Sequence, residues 1–385
     1  MNLTPIRDLV QKTRQIDPKK LGNDSFTYVD ISSIDKDTKR ITEPQTLLVG
    51  DAPSRARKEI KANDVLVATV RPNLNGVAIV PAQYDNQIAS TGFCVLRSDT
   101  EQLDPNYLFY FTQTYYFISH LTELSTGAGY PAVSDEDILD TRIPLPPLTE
   151  QKQIASLLAR ADRLRQLRRT AHDLGDVLLQ SVFLEMFGDP FKHYQEKWKS
   201  VRFEEITNRI TYGFTNPMSH LSSGIPIITG KNVLDGKIDF ENVHYADQKE
   251  YDVLTLKNKP NKGDILITKD GTIGRCAIVD VDFPICINQS VALVQLNNKV
   301  IPKYVFGYLY SASVREFLDG MKKGVALQHL QITEFAQIPI PLPPLNVQEE
   351  FAGVVARVES LRGRMGESTR QVEGLFESLL AEAFS

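Results

Sequence analysis

Seven polar stretches of this sequence carry side chains that can hydrogen-bond to phosphate oxygens and to the edges of nucleic-acid bases. In the first 142 residues the candidate residues are Arg55, Arg57, Lys58, Arg71, Asn73, Asn75, Ser125, Thr126 and Tyr130. In the second half they are Thr215, Asn216, Lys231, Asn232, Lys269, Lys322, Lys323, Gln328 and His329. Arginine and lysine neutralise phosphates, and the other side chains donate to or accept from base edges. A solvated surface loop without a ligand remains the alternative for any one of these stretches.

Catalytic motifs are not found. The sequence has no phosphate-binding Walker loop, and Asn216-Pro217-Met218 is only a fragment of an amino-methyltransferase motif. Asp51, Glu59 and Lys61 resemble a nuclease metal site in composition, but such short spacings are common by chance. The six histidines are scattered and form no ligand pair. We therefore expect a non-catalytic chain without a metal or cofactor of its own.

Two mixed α/β domains are predicted to position the polar loops. Short apolar runs predict strands at 26–31, 47–49, 65–70, 76–80 and 92–96, followed by an aromatic-rich helix at 105–121. The helix could stack bases or fill a core, and the core is the better explanation. A second domain at 198–337 repeats the pattern, with 225–229 matching the strand at Tyr28, 263–268 matching 63–68, and 286–291 matching 89–93. The scaffold repeats but the loop residues differ, which indicates two heads with different targets.

An internal repeat links the two halves. The motif Ile-Pro-Leu-Pro-Pro-Leu occurs at 143–148 and again 197 residues later at 340–345. Around it, residues 104–187 align with 301–384 without a gap, with 21 identities over 84 positions. Solenoid repeats are about 20–50 residues long, so a unit of this length indicates a duplicated domain.

Each proline-rich motif is predicted to be an extended strap that leads into a long helix. Proline fixes φ and lacks an N–H, which excludes the motif from a helix interior or a central strand. Thr149 and Asn346 are predicted N-caps, and each helix of about 36 residues would span roughly 54 Å. An alternating three–four spacing predicts a helix–helix seam. The predicted seam residues are Ile154, Leu157, Ala161, Leu164 and Leu178 in the first helix, and Phe351, Val354, Val358, Leu361, Met365, Val372, Leu375 and Leu379 in the second. Two unrelated helices, each packed on its own domain, are the alternative.

Composition limits the class of protein. Apolar residues make up 42% of the 385 residues, which supports folded cores. Cys94, Cys276 and Cys286 have no metal-type spacing and cannot build a disulfide framework, so we expect a cytoplasmic protein. No signal peptide and no apolar run of membrane-spanning length is found, so no membrane partner is expected. The net charge of −5 argues weakly against nucleic-acid binding.

Taken together, these motifs resemble the specificity subunits of type I restriction–modification systems. The resemblance is carried by the two straps, each followed by a glutamine at Gln151 or Gln348, and by the stretches 69–74, 187–190 and 262–266. The family usually has Glu-Gln after the strap, whereas the second copy here has Val347-Gln348. The resemblance implies an α+β fold of two mixed α/β target-recognition domains. Two long antiparallel helices would separate them as a coiled coil, with a pseudo-twofold internal repeat.

On this basis we expect target-recognition domain 1 at 1–142, a strap and long helix at 143–190, target-recognition domain 2 at 191–339, and a second strap and helix at 340–385. An antiparallel arrangement also follows from the chain itself, because the first helix must lead from domain one to domain two. The resemblance implies sequence-specific binding of double-stranded DNA at a bipartite, asymmetric target. It further implies two methyltransferase subunits and two motor-nuclease subunits as partners. S-adenosylmethionine, ATP and Mg²⁺ would belong to those partners.

A structural adapter is the alternative, with heads that bind proteins and a coiled coil that sets their spacing. Co-purification of a methyltransferase would favour the DNA-recognition subunit. Two expectations about single residues follow from the sequence. Aspartate at Leu157 or Leu361 should bury a charge in the seam at a cost of several kcal/mol. Substitution of Arg71 should weaken DNA binding broadly if its side chain meets a phosphate.

Overall fold

The computed structural model describes residues 3–20, 22, 24–127, 129–192, 197–216, 218–270, 272–320 and 329–384, excluding the side chains at 172, 173, 364, 366, 367 and 369. The chain divides into two compact units. Unit 1 comprises Met1–Thr170 and Gly366–Ser385, and unit 2 comprises Ala171–Met365. Each unit therefore contains one part of both long helices, which differs from the predicted division into heads and separate helices.

Unit 1 contains two four-stranded sheets. Its strands are β1 (Leu3–Pro5), β2 (Val10–Gln11), β3 (Ser25–Val29), β4 (Ile34–Asp35), β5 (Arg40–Ile41), β6 (Gln45–Leu48), β7 (Ala56–Ile60), β8 (Val65–Ala68), β9 (Val77–Ile79), β10 (Gln87–Ser90), β11 (Phe93–Ser98) and β12 (Arg142–Pro144). Its helices are α1 (Pro105–Phe111), α2 (Tyr115–Leu124), α3 (Asp135–Asp140), the first part of α4 (Leu148–Phe187) and the last part of the C-terminal long helix (Leu345–Ala383). The sheet orders are β6-β3-β10-β7 and β2-β11-β8-β9.

Unit 2 repeats this plan with a four-stranded and a three-stranded sheet. Its strands are β13 (Ser200–Arg202), β14 (Thr207–Tyr212), β15 (Ile225–Ile228), β16 (Val233–Leu234), β17 (Lys237–Ile238), β18 (His244–Ala246), β19 (Ile265–Thr268), β20 (Cys276–Ile278), β21 (Cys286–Ile287), β22 (Val291–Leu296) and β23 (Pro339–Pro341). Its helices are the last part of α4, α5 (Gln248–Val253), α6 (Pro302–Tyr310), α7 (Ala312–Gly320), α8 (Ile332–Phe335) and the first part of α9 (Leu345–Ala383). The sheet orders are β14-β22-β19-β20 and β18-β15-β21.

Strand pairing confirms the predicted scaffold repeat. In unit 1, β3 and β10 pair in parallel, with Tyr28 opposite Ile88. In unit 2, β15 and β21 also pair in parallel, with Ile227 opposite Cys286. An antiparallel strand also pairs with β3 and with β15, so this three-strand arrangement repeats in each half, and β7 adds a fourth strand in unit 1.

The aromatic-rich stretch is two helices, α1 and α2, and not the single helix predicted. The break lies before α2, where the Thr114 hydroxyl accepts the backbone N–H of Phe117 and caps that helix. Tyr107, Phe111 and Phe117 are buried in the core of unit 1, so these rings fill a core and do not form a base-stacking surface.

The proline straps begin as edge strands. Leu3 pairs with Pro144 in unit 1, and Ser200 pairs with Pro341 in unit 2, each in a two-stranded sheet. An edge position tolerates proline because the missing N–H faces away from the partner strand. The carbonyl of Pro144 accepts the buried Tyr107 hydroxyl at 2.9 Å, which ties the strap to α1.

Gln151, which follows the first strap, is fully buried and makes three hydrogen bonds. Its amide donates to the carbonyls of Gln102 and Pro146, both at 2.9 Å, and its oxygen accepts the N–H of Asp104 at 2.9 Å. Gln348 repeats this arrangement in unit 2, where it bonds to Lys299, Pro343 and Ile301. The glutamine therefore fastens the strap to the turn that precedes the first core helix of each unit.

Replacing Gln151 with leucine is expected to lower the free energy of unfolding of unit 1 by about 3 kcal/mol or more. Leucine fits the space but leaves the buried carbonyl of Pro146 without its partner, at about 1–3 kcal/mol, and removes the part-buried bonds to Asp104 and Gln102, at about 0.5–1.5 kcal/mol each. The same change at the exposed Gln153 is the matched control and should have little effect. Thermal and denaturant unfolding of both variants tests this expectation. Equal stability of the two variants would contradict it.

Both long helices begin one residue earlier than their predicted N-caps. Helix α4 begins at Leu148 and α9 at Leu345, so Thr149 and Asn346 lie in the first turn. The carbonyl of Pro147 accepts the backbone N–H of Glu150 and Gln151, and Pro344 does the same for its helix. A proline can cap in this way because only its carbonyl is needed.

The buried stripe of the helices lies one residue away from most of the predicted seam. In unit 1, Ala155, Leu158 and Ala161 of α4 share a core with Phe376 and Leu380 of α9. In unit 2 the shared core residues are Leu179, Phe183 and Phe187 of α4 and Phe351, Val355 and Val358 of α9.

Of the predicted seam residues, Ala161, Phe351 and Val358 are buried, and Ile154, Val354, Met365, Val372 and Leu379 are partly buried. The other five, Leu157, Leu164, Leu178, Leu361 and Leu375, are each about half exposed, at 48–50%. For these five the expected burial within the chain is wrong. Apolar residues stand at adjacent positions in these helices, as at Leu157-Leu158 and Leu178-Leu179, so two apolar stripes lie side by side and only packing decides which one is buried.

Higher-numbered residues of α4 meet lower-numbered residues of α9 within each unit. In unit 1, Arg165 and Arg169 form ion pairs with Glu373, both at 3.0 Å. In unit 2, Asp176 pairs with Arg362. This pattern is that of antiparallel packing inside each unit.

The three cysteines are core residues. Cys94, Cys276 and Cys286 are buried and unpaired by disulfides, and burial raises the pKa of each thiol to about 12. A thiol with so high a pKa is a poor nucleophile and a poor metal ligand. Among the described helices, none combines the length and apolar character needed to cross a bilayer.

Candidate nucleic-acid interface

Four loops of unit 1 meet at the end of strand β8. The backbone N–H of Thr69 donates to Gly92 at 2.9 Å, and Val133 donates to Thr69 at 2.9 Å. The backbone N–H of Arg71 donates to the carbonyl of Pro131 at 2.7 Å. The loop before β7 joins the same cluster through Arg55, whose carbonyl accepts the N–H of Thr91 at 2.8 Å. These bonds make one surface from segments that are distant in the sequence.

Unit 2 builds its loop cluster from equivalent bonds. The backbone N–H of Lys269 donates to the carbonyl of Ser290 at 2.9 Å, as that of Thr69 does to Gly92. The backbone N–H of Leu330 donates to the carbonyl of Lys269 at 3.0 Å, as that of Val133 does to Thr69. The backbone N–H of Gly230 donates to the Ser290 hydroxyl at 2.8 Å. The two units therefore present a loop cluster at the same place on the same scaffold.

Several candidate side chains of unit 1 are accessible. Arg55, Arg71, Asn73, Thr126 and Tyr130 are exposed, and Tyr130 is exposed to 73%. Ser125 is partly buried, and its hydroxyl donates to the carbonyl of Thr122 at the end of α2. The exposed residues stay predictions as DNA contacts.

The other candidates of unit 1 have partners inside the protein. Lys58 is 9% exposed and pairs with Asp135, and Arg57 lies 3.7 Å from Asp17. Asn75 is buried and donates to the carbonyl of Thr112 at 3.0 Å. Lys58 and Asn75 therefore have structural partners inside the protein, whereas Arg57, whose ion pair is partly exposed, stays a prediction as a DNA contact.

Lys39 contacts the turn that follows strand β8, at Pro72–Leu74. Its amino group donates to the backbone carbonyl of Asn75 at 2.7 Å, and burial lowers its pKa to about 8. Lys39 therefore supports the turn from inside and is not an exposed charge for a ligand.

The candidate residues of unit 2 form a different surface. Thr215, Asn216 and Lys231 are exposed. Asn232 is buried, accepts the N–H and hydroxyl of Thr229, and therefore shapes its own turn. Lys322, Lys323 and Gln328 lie outside the described residues.

Lys269 and His329 share the carboxylate of Asp270. The Lys269 amino group lies 3.1 Å from Asp270 Oδ1, and His329 Nδ1 lies 2.6 Å from the same oxygen. Lys269 also lies 5.6 Å from the ring centroid of Tyr212. Unit 2 thus combines a carboxylate, which repels phosphate but can accept from the amino groups of cytosine, with two basic side chains.

Thr215 and Asn216 line an open cavity of about 490 Å³. Tyr212, Phe214, Met218, Glu250 and Lys257 are among the other residues around it. The mixture of aromatic, polar and charged side chains suits contact with a polar, planar ligand such as a base edge.

Two residues beside these clusters were missed in the sequence. Lys36 lines a recess of about 180 Å³ with Arg71, Leu74 and Tyr130. Tyr212 is 48% exposed beside Lys269. Lys36 lies in the polar run 35–40, which the sequence analysis did not single out, and the tertiary contacts bring both residues to the clusters. The described residues contain no group of three acidic, histidine or cysteine side chains suited to a metal ion.

Comparison with known proteins agrees with this architecture. The family model of the type I restriction modification DNA specificity domain matches this chain twice, at residues 6–172 and 195–362. The EcoBI type I restriction enzyme specificity subunit of Escherichia coli is 27% identical over 298 residues, which cover 70% of this chain and 63% of that subunit. The MjaVIII specificity subunit of Methanocaldococcus jannaschii is 24% identical over 306 residues, which cover 74% of this chain and 71% of that subunit.

A solved structure is also similar over the full length. The study is described as "Structural basis underlying complex assembly and conformational transition of the type I R-M system". Its chain has a TM-score of 0.57 and 28% identity, and the alignment covers 100% of this chain and 97% of that one. With two domain matches that together span most of the sequence, this chain belongs to the type I restriction modification DNA specificity domain family.

Proposed function

We propose that this chain is the DNA-recognition subunit of a type I restriction–modification complex and is not itself catalytic. Each unit would bind one half of a bipartite, asymmetric site in double-stranded DNA. The observation that carries the proposal is the loop cluster that both units form with equivalent backbone bonds but unlike side chains. Equivalent scaffolds hold the two surfaces in comparable ways, and unlike side chains give them different base preferences.

The accessible side chains fit such a role. Arg55, Arg71 and Asn73 in unit 1, and Lys231 and Asn216 in unit 2, are exposed on the clusters. Arginine and lysine contacts to phosphates would supply affinity, and amides would discriminate among bases. The net charge of −5 does not prevent this, because binding depends on the local charge of the contact surface.

The long helices would hold the two heads and receive the partner subunits. The antiparallel contacts inside each unit support an antiparallel coiled coil with a pseudo-twofold axis. Four half-exposed leucines occupy positions related by the 197-residue repeat, namely Leu164 with Leu361 and Leu178 with Leu375. Unit 1 contains Leu164 and Leu375, and unit 2 contains Leu361 and Leu178. Each unit therefore presents the same pair of leucines on its helices.

Two like surfaces support two copies of one partner for each chain. On this proposal two methyltransferase subunits dock on the helices, and two motor-nuclease subunits join the assembly. S-adenosylmethionine, ATP and Mg²⁺ would serve those subunits. This chain would determine the DNA sequence on which they act.

The complex with its methyltransferase partner is expected to bind one duplex sequence far more tightly than competitor DNA, whereas the chain alone binds weakly. Phosphate contacts release counterions, so the affinity should fall steeply as salt rises. Methylation mapping in cells supplies the site, and competition binding at two salt concentrations measures the preference. A complex that binds every duplex equally well would exclude the proposal and favour an adapter with protein-binding heads.

A further inference from the structure

The turn after strand β8 holds two non-glycine residues in the left-handed region. Arg71 has φ 52° and Asn75 has φ 46°, and they flank a short helical turn at Pro72–Leu74. Glycine is the usual residue at such angles because a Cβ is strained there. Arg71 therefore adopts a backbone conformation that residues with a Cβ disfavour.

Three hydrogen bonds fix this turn. The amide of Asn75 donates to Thr112 at 3.0 Å, and Lys39 donates to the Asn75 carbonyl at 2.7 Å. Arg71 itself donates its backbone N–H to Pro131 at 2.7 Å. Strained backbone that is held by several independent bonds is typical of residues that are positioned for a ligand.

The Arg71 side chain is oriented but has no acidic partner. Its guanidinium carbon lies 4.7 Å from the centroid of the Tyr130 ring. No carboxylate in the described part of the chain forms an ion pair with Arg71, whereas Arg57 and Arg97 of the same unit pair with Asp17 and Asp64. No hydrogen bond from the Arg71 guanidinium is found among the described residues, so its N–H groups are available to donate to a ligand.

We propose that Arg71 recognises a guanine in the half-site bound by unit 1. This inference rests on the proposed DNA-recognition function. The planar edge of an oriented arginine matches the O6 and N7 acceptors of guanine in the major groove.

A planar guanidinium can also bind a phosphate, but Lys36 lines the same recess and can supply charge for that contact. The two roles of Arg71 differ in their effect on base preference, and the test below separates them.

The test compares Arg71→Lys with the wild-type chain, each assembled with its methyltransferase partner. Lysine keeps the charge but loses the planar pair of donors. The wild-type half-site of unit 1 should contain a guanine. In the variant, discrimination against other bases at that position should fall by about 5- to 150-fold. The half-site of unit 2, the affinity for competitor DNA and the salt dependence should not change.

Two further variants control for other effects. Tyr130→Phe keeps the ring and should preserve discrimination, and Tyr130→Ala removes the stacking surface and should reduce it. Arg142→Lys, at an exposed arginine of strand β12 that is not among the candidate DNA contacts, is the matched arginine control and should leave the base preference intact. Melting curves of each variant confirm that the fold is retained.

Three results would overturn the inference: a unit 1 half-site without guanine, an unchanged preference in Arg71→Lys, or a uniform loss of affinity for all sequences in Arg71→Ala with a reduced salt slope. The last result is that of a phosphate contact. Failure of the proposed function looks different, because the wild-type complex would then show no sequence preference at all.

Discussion

Exchanging the head of unit 2 for that of a relative is expected to change one half of the methylated site and leave the other half intact. The loop clusters of the two units share equivalent backbone bonds but carry different side chains. Each half-site should therefore follow the unit that binds it. Because the heads are unlike, the parent site should be asymmetric, with unspecified base pairs between its halves.

The structure refines where the exchange should be made. The expected domain at 198–337 would remove β13 but keep β23, although Ser200–Arg202 pairs with Pro339–Pro341. Exchanging 203–338 keeps both strands of this native pair. Methylation mapping of cells that express the chimera with the partner subunits measures both half-sites. Simultaneous change of both halves, or a continuous palindrome in the parent, would falsify the assignment of one unit to one half-site.

Aspartate at Leu164 or Leu361 is expected to remove one partner subunit from the assembly without unfolding the chain. Both leucines are about half exposed, so the charge remains hydrated and the free energy of unfolding should change by less than about 1 kcal/mol. Each variant should bind one partner copy, and the double variant should bind none. Mass measurement of the purified assemblies gives the number of copies.

Leu158→Asp is the matched buried control for these surface variants. Leu158 is 1% exposed and contributes to the core of unit 1. Aspartate there loses apolar burial and places a carboxylate in the core, at a cost of about 4 kcal/mol or more. A two-copy assembly formed by the double surface variant would contradict docking at these leucines. Surface variants as unstable as Leu158→Asp would show that the leucines belong to the core.

The sequence by itself determined the duplication, the straps and the long helices. These features depend on short-range chemistry: proline excludes regular structure at 143–148 and 340–345, and apolar periodicity marks a helix whatever it packs against. The strands β3 and β8 were also evident, because β8 is a continuous apolar run and β3 is rich in aromatic and β-branched residues. The break between α1 and α2 was missed, because a threonine cap leaves only a weak signal inside an aromatic stretch.

Only the tertiary structure decided which predicted residues are available. Lys58 and Asn75 looked like ligands in the sequence, but partners from distant segments, Asp135 and Thr112, engage them. Leu157 and Leu158 are adjacent and chemically identical, and packing buries the second while half of the first stays exposed. The cause is the same in each case. Residue type fixes what a side chain can do, but contacts between segments far apart in the chain decide whether it is free to do so.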